Sequence, residues 1–340
     1  MPAEWAPHRR TWLAWPHNPA DWPGKLAPIP WVYGEMVRHL ACGERVGILV
    51  GDAALKQAAT RVLGKVGADL SQVDFLERRT DRSWVRDTGP SFVRRASGEV
   101  AAVCWAFNAW AKYDNCKLDA QVGRAVAGRA EAPVYEPRRP DGARFVLEGG
   151  AIDVDGEGTL LCTEECLLDR VQERNPGVAR EAQEAVLREA LGATRVLWLE
   201  KGIVGDDTHG HVDDLARFVA PGRVLLCRED DPADPNHAVC VENRARLCEA
   251  RDARGRRLEV IDLPMPRPLV FRGQRLPASY ANFYVGNRVV LVPTFNDPHD
   301  RLALNLLAEL FPSREVVGIH CVDLVWGLGT IHCATQQEPG

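Results

Sequence analysis

Short apolar segments and amphipathic segments alternate along the whole chain, and this alternation limits the fold more than any other feature of the sequence. We predict buried strands at Arg45–Val50, Gln72–Glu77, Thr159–Cys162, Arg195–Leu199, Arg223–Arg228, Leu258–Leu263, Arg288–Val292 and Val316–Ile319. We predict helices at Tyr33–Cys42, Ala53–Val66, Pro176–Leu191, Asn236–Arg251 and Asp300–Leu310. Interleaved strands and helices indicate an α/β fold. Several strand pairs lack an intervening helix, which argues against a simple parallel doubly wound sheet.

The helix predicted at Pro176–Leu191 has recognisable ends. Asn175 suits the N-cap, Pro176 the first helical position, and Gly192 the position after the last turn. Elsewhere the 29 Gly and 23 Pro residues are scattered as turn residues, without a low-complexity run that would mark a linker. We therefore expect residues 1–340 to form a single domain.

Composition excludes several classes of protein. An apolar fraction of 46% with 26% charged residues is typical of a folded globular chain. No stretch of roughly 18 apolar residues is present, so we expect no membrane-spanning segment. The formal charge of −5 argues against a nucleic-acid partner and is compatible with a small cationic substrate. The first residues lack the pattern of a secretory signal, so we expect a cytoplasmic protein.

Ten cysteines are an unusual number for such a chain. In a cytoplasmic protein most of them should be reduced, buried thiols. The pair Cys162 and Cys166 is not followed by a second close pair, so the spacing does not predict a zinc framework. Neither a dinucleotide-binding glycine motif nor a phosphate-binding loop is present, and we expect no organic cofactor and no metal.

Four segments combine ionisable residues with Gly or Trp, which is costly in a core and common at a functional site. They are Asp81–Pro90, Leu147–Gly150, Asp206–Asp214 and Gly327–Gln337. Each also has a purely structural interpretation: a solvated turn, the end of a strand, a hydrogen-bonded turn, and one more buried thiol. In a metal-hydrolase alternative, His209, His211 and Asp213 form one row on a strand and bind zinc or iron.

Taken together, the four segments contain the groups that a thiol nucleophile needs. A histidine beside a carboxylate can act as general acid and base for a cysteine. Carboxylates at Asp87, Glu148 and Asp213 could accept the N–H groups of a planar guanidinium. The bound cation would in turn favour the thiolate of Cys333. The residue types therefore indicate attack by a cysteine on a cationic carbon.

The order of the motifs resembles the agmatine deiminase family of guanidine-modifying enzymes, over most of the chain. The resemblance rests on MPAEWAPHRRTWLAWPHN, WVRDTGP, FNAW followed by KY, LEGG, THGHVDD, SYANFYVGN and IHCATQQEP. It implies that Cys333 is the nucleophile and His211 the general acid and base. It also implies that Asp87 and Asp213 bind the guanidinium, and that Glu148 supports the histidine and the substrate.

The same resemblance adds substrate-binding residues outside the catalytic set. Trp84 matches a tryptophan that lines the substrate in related deiminases. Trp110 and Asn282, which lie in the FNAW and SYANF motifs, are further substrate-binding candidates. For the distal amine of the substrate, Asp21 and Asp300 are the candidates.

Two loops depart from the family pattern. The glycine-rich run before the nucleophile contains the larger residues Leu328 and Thr330. The FNAWAKY segment lacks a glycine after Trp110, where the pattern has one or two. Both departures could alter the shape of a loop and the fit of the distal end of the substrate, without changing the chemistry.

The resemblance implies a five-bladed, pseudo-symmetric β/α-propeller around a central funnel. The site residues assigned at 87, 148, 211 and 333 are separated by 61, 63 and 122 residues. Five units of this chain would each contain about 68 residues, so such spacing is expected if successive units each deliver one loop to the centre. The unit between His211 and Cys333 would contribute through Tyr280–Phe283.

The implied reaction is hydrolysis of the guanidino group of agmatine to N-carbamoylputrescine and ammonia, through a covalent thiouronium on Cys333, in polyamine biosynthesis from arginine. Three alternatives share the residue set: a deiminase of peptidyl-arginine or another guanidino compound, an amidinotransferase, and a catalytically silent guanidinium- or polyamine-binding protein. Tryptophans near the N-terminus could serve a homodimer interface or belong to the core.

Overall fold

Five small sheets contain all but two of the strands in the computed structural model, which describes residues 1–340. With strands numbered in chain order, the first sheet contains β18 (Gln336–Pro339), β1 (His8–Ala14), β2 (Arg45–Val50) and β3 (Val73–Glu77). The others contain β4 (Ser91–Arg94), β5 (Val100–Val103) and β6 (Val134–Tyr135); β7 (Asp153–Val154), β8 (Thr159–Thr163) and β9 (Arg195–Leu199); β10 (Ala216–Ala220), β11 (Arg223–Arg228) and β12 (Glu259–Pro264); and β15 (Tyr284–Val285), β16 (Val289–Thr294) and β17 (Glu315–His320). The remaining pair, β13 (Val270–Phe271) and β14 (Gln274–Arg275), forms a separate hairpin.

One pairing pattern repeats in all five sheets. A strand runs antiparallel to its next neighbour, which then pairs in parallel with the strand beyond it. In the first sheet β18 is the antiparallel partner of β1, and β1 pairs in parallel with β2. The strand nearest the end of the chain therefore completes the sheet that its first strand begins.

Helices supply the crossover connections that parallel strands require. The helices are α1 (Ile29–Leu40), α2 (Ala53–Val66), α3 (Val85–Thr88), α4 (Val122–Arg129), α5 (Glu164–Leu168), α6 (Arg180–Leu191), α7 (Pro235–Glu249) and α8 (His299–Leu310). All except α3, which lies between β3 and β4 of different sheets, belong to such a connection. For example, α2 joins β2 to β3, α7 joins β11 to β12, and α8 joins β16 to β17. The predicted α/β class is therefore correct.

None of the helices is both long and apolar enough to cross a lipid bilayer.

The eight predicted strands correspond to β2, β3, β8, β9, β11, β12, β16 and β17, and most helices also lie close to their predicted positions. Strands β2, β9 and β11 and helix α2 have the predicted bounds. Ten strands were not predicted: β1, β4, β5, β6, β7, β10, β13, β14, β15 and β18. All of them except β1 have two to five residues, which carry too little periodicity. The first helix begins at Ile29 rather than at Tyr33.

The predicted start of the helix at Pro176 is wrong. Helix α6 begins at Arg180, and the side chain of Asn175 bonds to both the N–H and the C=O of Val146 instead of capping a helix. The predicted end is correct, because Gly192 follows the helix with a φ of 72°. Asn175 therefore does not cap a helix but links its own segment to the segment that contains Val146.

A short helical turn precedes the antiparallel strand of every sheet. These turns are Val85–Thr88 before β4, Gly149–Ala151 before β7, Val212–Asp214 before β10, Tyr280–Asn282 before β15, and residues 331–334 before β18. Apolar side chains are buried in one large cluster and two smaller ones, and Cys333 belongs to the largest. The repeated turn is the feature of the fold that positions the candidate site.

Candidate active site

The five turns bring their polar side chains to one place. His211 Nδ1 lies 3.9 Å from Asp87 Oδ1 and 4.0 Å from Asp213 Oδ1, and its Nε2 lies 3.6 Å from Glu148 Oε2. The sulfur of Cys333 lies 3.8 Å from Asp213 Oδ2. All five side chains are buried. The structure thus gathers the five residues that sequence analysis placed in the catalytic set; we call this group the floor of the site.

His211 is a buried imidazole with no hydrogen-bond partner on either ring nitrogen. Burial alone would lower its pKa, but the carboxylate of Asp87 and contacts with Cys166 and Glu148 outweigh burial and raise the pKa well above the ordinary value. The ring is therefore protonated near neutral pH. A protonated histidine with both N–H groups free is suited to donate a proton to a leaving group.

Asp87 is held by hydrogen bonds to both of its oxygens. Trp110 Nε1 donates to Oδ2 at 2.9 Å, and the backbone N–H of Gly150 donates to Oδ1 at 3.0 Å. Burial raises the pKa of Asp87 to about 6, with Asp213 and Glu148 acting in the same direction and His211 opposing them. The carboxylate therefore has a fixed orientation and is ionised above about pH 6.

Gly150 of the LEGG motif makes this close packing possible. A Cβ atom at this position would lie 2.5 Å from His211 Nδ1 and 3.0 Å from Asp87 Oδ1. Neither group could move without losing the contacts described above. The glycine is thus required by the close approach of the backbone to the ionisable side chains.

Cys333 is a thiol when nothing is bound beside it. Burial raises its pKa well above the ordinary value, and the carboxylates of Asp213, Asp214 and Asp87 add to the increase. A cation placed among these carboxylates would reduce that repulsion and favour the thiolate. The electrostatics therefore match a nucleophile that is activated by a cationic ligand.

Asn282 contacts the sulfur rather than the open cavity. Its Nδ2 donates to Cys333 Sγ at 3.1 Å and to Asp214 Oδ1 at 2.9 Å. Its Oδ1 accepts from Thr330 Oγ1 at 2.7 Å. The prediction that Asn282 binds the substrate does not match this placement, because both its amide nitrogen and its amide oxygen are already bonded within the protein. The turn at residues 280–282 does reach the site, as the spacing predicted.

A cavity of about 370 Å³ opens above Cys333. It is lined by Asn18, Ala20, Asp21, Arg82, Trp84, Asp87, Trp110, Tyr113, Asn115, Asp207, Thr208, Gly327, Leu328, Gly329 and Cys333. Trp84 and Trp110, which are candidates for contact with a substrate, form parts of its wall. We call the part formed by Asp21, Arg82, Tyr113, Asp207 and Leu328 the rim.

The two acids predicted to bind the distal amine of the substrate lie in different places, and only one of them lines the cavity. Asp21 lines the cavity, and burial raises its pKa to about 7 although Arg82 opposes the shift. Asp300 does not line the cavity; it accepts hydrogen bonds from the Tyr280 hydroxyl at 2.7 Å and from the backbone N–H of Phe295 at 3.0 Å. The prediction for Asp300 is wrong, because its carboxylate holds a loop together.

Arg82 is a cavity residue that sequence analysis missed. Its Nε lies 3.7 Å from Asp21 Oδ1, and its guanidinium lies over the ring of Tyr113, 4.5 Å from the centroid. It lies in the Asp81–Pro90 segment, two residues after Thr80, but sequence analysis assigned it no role of its own. Burial of an arginine against an aromatic ring from another segment leaves no signal in local spacing.

Similarity to known proteins agrees with this geometry. The model of the Porphyromonas-type peptidyl-arginine deiminase family matches residues 1–339. The chain belongs to this family. Proteins named agmatine deiminase from Ectopseudomonas mendocina and Stutzerimonas stutzeri are each 40% identical over 362 residues, covering 100% of this chain and 95% of the relative.

Solved structures extend the similarity to three dimensions. Agmatine deiminase of Enterococcus faecalis is 34% identical, with a TM-score of 0.91, over 100% of this chain and 95% of that chain. C. jejuni agmatine deiminase with substrate bound is 26% identical, with a TM-score of 0.85, over 99% of this chain and 95% of that chain.

In this member of the peptidyl-arginine deiminase family, both loops that depart from the expected pattern have left-handed backbone. Ala109, Trp110 and Ala111 have φ values of 51°, 58° and 52°, and Leu328 has a φ of 68°. Glycine adopts such angles at lower cost than other residues. The two departures therefore place side chains at strained positions near the cavity, and Leu328 projects into its lining.

The predicted row of His209, His211 and Asp213 is absent. His209 has a φ of 62°, and its Nε2 lies 3.2 Å from Asp169, away from the buried His211. The histidines lie in a turn rather than on a strand, so they do not share a face. The side chains that could together hold a metal ion form two other groups, Glu148–Cys166–His211 and Asp213–Asp214–Cys333. In the first group Glu148 already pairs with Arg174 at 3.2 Å.

Proposed function

We propose that this protein hydrolyses the guanidino group of agmatine, releasing ammonia and leaving N-carbamoylputrescine, a step of polyamine biosynthesis from arginine. One observation carries the proposal. Cys333, Asp213, His211 and Asp87 form a continuous group at the floor of one cavity, in which each side chain lies within about 4 Å of the next. The relatives named agmatine deiminase support agmatine as the substrate. The protein is accordingly a hydrolase of carbon–nitrogen bonds.

Binding would begin with the guanidinium between Asp87 and Asp213. The Oδ1 atom of Asp213 is buried without a hydrogen-bond partner, so an N–H group of the substrate would satisfy it. The positive charge would offset the repulsion that keeps Cys333 protonated. The thiol would then lose its proton to solvent, and the thiolate would face the guanidino carbon. Trp84 and Trp110 would enclose the planar group from the sides.

The first half of the reaction would form a thiouronium. Cys333 Sγ attacks the guanidino carbon and gives a tetrahedral adduct. His211 donates a proton to one terminal nitrogen, the C–N bond breaks, and ammonia leaves. Glu148 faces the other ring nitrogen and stabilises the imidazolium before the transfer.

The second half would return the enzyme to its starting state. His211, now neutral, takes a proton from water, and the resulting hydroxide adds to the thiouronium carbon. The C–S bond breaks and the hydroxyl proton of the adduct passes to the departing sulfur, leaving the ureido product and the Cys333 thiol. Although burial opposes it, Arg174 keeps the pKa of Glu148 below its usual range, so this carboxylate stays ionised throughout.

The distal ammonium of agmatine would lie near Asp21. This carboxylate lies at the rim, on the wall of the same cavity as Cys333. Its pKa of about 7 would fall when a cation binds beside it, because the charged form is then favoured.

We also propose that residues 1–340 form a single domain, and that this domain is a five-bladed β/α-propeller. Five sheets repeat one pairing pattern, and the turn before each antiparallel strand reaches the same site. Pairing of β1 with β18 joins the two ends of the chain, as circular closure requires. A cytoplasmic location and a homodimer stay predictions from the sequence.

The test is ammonia release from agmatine, free arginine and a peptidyl-arginine, with wild-type protein and Cys333→Ala. We expect turnover of agmatine above the other two, and its loss by at least about 10⁴-fold in the variant. Preference for the peptide would replace agmatine as the substrate. Amidino transfer to an added amine would indicate an amidinotransferase, and protection of Cys333 from iodoacetamide by agmatine without turnover would indicate a silent binder.

A further inference from the structure

Beneath the floor of the site, the segment at the start of the chain inserts a buried carboxylate. Glu4 Oε2 lies 2.8 Å from His332 Nε2 and 3.2 Å from Arg86 Nη2, and Glu4 Oε1 lies 3.0 Å from Arg217 Nη2. All four side chains are buried. The proposed reaction assigns no role to this group, although Glu4 belongs to the MPAEW motif and His332 directly precedes Cys333.

His332 is bonded on both sides by carboxylates. Its Nδ1 lies 2.6 Å from Asp213 Oδ2, opposite the contact with Glu4. Ionised carboxylates only accept hydrogen bonds, so both ring nitrogens must carry protons and the ring is a buried imidazolium. Arg217 also pairs with Asp153, at 3.2 Å. The group therefore contains three positive and three negative side chains: Arg86, Arg217 and His332 with Glu4, Asp153 and Asp213.

The two oxygens of Asp213 consequently have different tasks. Oδ2 accepts from His332, whereas Oδ1 has no partner and faces His211 in the site. Burial opposes ionisation of Asp213, but the hydrogen bond and charge of His332 lower its pKa below the usual range. A carboxylate that is both ionised and fixed in orientation is what recognition of a guanidinium requires.

We propose that Glu4 and His332 are positioning residues, which hold Asp213 ionised and oriented so that its free oxygen accepts an N–H group of the cationic substrate. This proposal rests on the proposed function, because Asp213 acts there on the guanidinium. The effect passes through His332, so Glu4 never touches the substrate. The opening MPAEW segment is thereby linked to the chemistry at the far end of the chain.

A cationic alkylating agent tests the proposal without turnover. 2-Chloroacetamidine carries an amidinium like that of the substrate, and 2-chloroacetamide is its neutral counterpart. In both, the Cys333 thiol loses its proton to solvent, the sulfur forms a C–S bond with the CH2 carbon, and chloride leaves. The ratio of the two rate constants, measured by mass spectrometry of the Cys333 peptide, reports how well the carboxylates recognise the cation.

Glu4→Gln keeps the shape of the side chain and removes its charge, and Glu44→Gln is the matched control. Glu44 is also a buried carboxylate beside a histidine, His8 at 3.2 Å, but it does not contact the site. We expect Glu4→Gln to lower the rate ratio about tenfold and Glu44→Gln to change it by less than about twofold. For agmatine, we expect most of the loss in Glu4→Gln to be an increase in KM.

An unchanged ratio in folded Glu4→Gln, or an equal fall in both variants, would overturn the proposal. If Glu4→Gln does not fold, His332→Gln replaces it in the test. We then expect the same fall in the ratio of the two alkylation rate constants for His332→Gln. If wild-type protein recognises the amidinium but does not turn over agmatine, the proposed function fails while the positioning role stands.

Discussion

The acids proposed to bind the two ends of the substrate, Asp87 and Asp213 at the floor and Asp21 at the rim, differ in how tightly they are held. At the floor, Asp87 accepts hydrogen bonds on both oxygens, and Asp213 is fixed by His332. At the rim, Leu328 has a left-handed backbone, and Asp21 has only a long ion pair with Arg82 at 3.7 Å and a long hydrogen bond from Asn18 Nδ2 at 3.4 Å. The difference teaches that the floor is built for one kind of reacting group, whereas the rim can vary with the rest of the substrate.

This comparison predicts two kinds of kinetic effect. Substitutions at the floor should lower kcat, because they remove groups that act on the reacting atoms. Substitutions at the rim should raise KM, because they remove groups that contact only the distal part of the substrate. A floor variant that changes only KM, or a rim variant that changes only kcat, would break the comparison.

The largest effect is expected for the proton donor at the floor. His211→Asn removes the group that protonates the departing ammonia, so kcat for agmatine should fall about 10³-fold with little change in KM. His209→Asn is the matched control, because His209 is two residues away and pairs with Asp169 outside the site. Steady-state ammonia assays check both. A fall below about tenfold in His211→Asn would remove this residue as the general acid.

A smaller effect is expected for the acid at the rim. Asp21→Asn should raise KM for agmatine about tenfold and leave kcat within about threefold, because a charge-assisted contact to the distal ammonium is lost. Butylguanidine, which lacks that ammonium, is the matched control substrate and should show no increase in KM. An equal increase with both substrates would mean that Asp21 shapes the cavity without binding the amine.

The smallest effect is expected for Trp110, a cavity-wall residue that donates a hydrogen bond to Asp87 of the floor. Because Asp87 must be ionised and its pKa is about 6, kcat/KM should decline as pH falls through about 6. The Trp110 hydrogen bond favours the ionised form, so Trp110→Phe should move this decline to higher pH and lower kcat/KM at pH 7 about fivefold.

Trp105→Phe provides the control for the loss of an indole N–H. Trp105 donates to Ser91 Oγ at 3.0 Å and does not line the cavity. Its pH profile should match that of wild-type protein. A profile for Trp110→Phe that declines at the wild-type pH would show that this hydrogen bond does not tune Asp87.

The sequence was informative where chemistry limits the residue type. A nucleophile, a general acid and cation-binding carboxylates are recognisable among turns, and the structure brings Cys333, His211 and Asp87 together. The spacing of these motifs also pointed to the turn that carries Asn282. Sequence reasoning placed Asn282 on the substrate, however, and could not tell that its amide lies behind the sulfur.

The residue roles that the sequence did not predict correctly depend on contacts between segments distant in the chain. Asp300 had the right charge for an amine, but its oxygens are used by Tyr280 and by the backbone of Phe295. Asn175 looked like a helix cap, but it bonds to Val146. Arg82 reached the rim by packing on Tyr113. No local pattern separates these uses from the alternatives, because the partners are set by tertiary structure.

Trapping of the covalent intermediate tests the central claim most directly. Wild-type protein mixed with agmatine and quenched in acid should carry agmatine less ammonia on the Cys333 peptide, and on no other of the ten cysteine peptides. Cys333→Ser should carry no adduct and release no ammonia above background. Ammonia release at the wild-type rate without an adduct at Cys333, or from Cys333→Ser, would contradict the account.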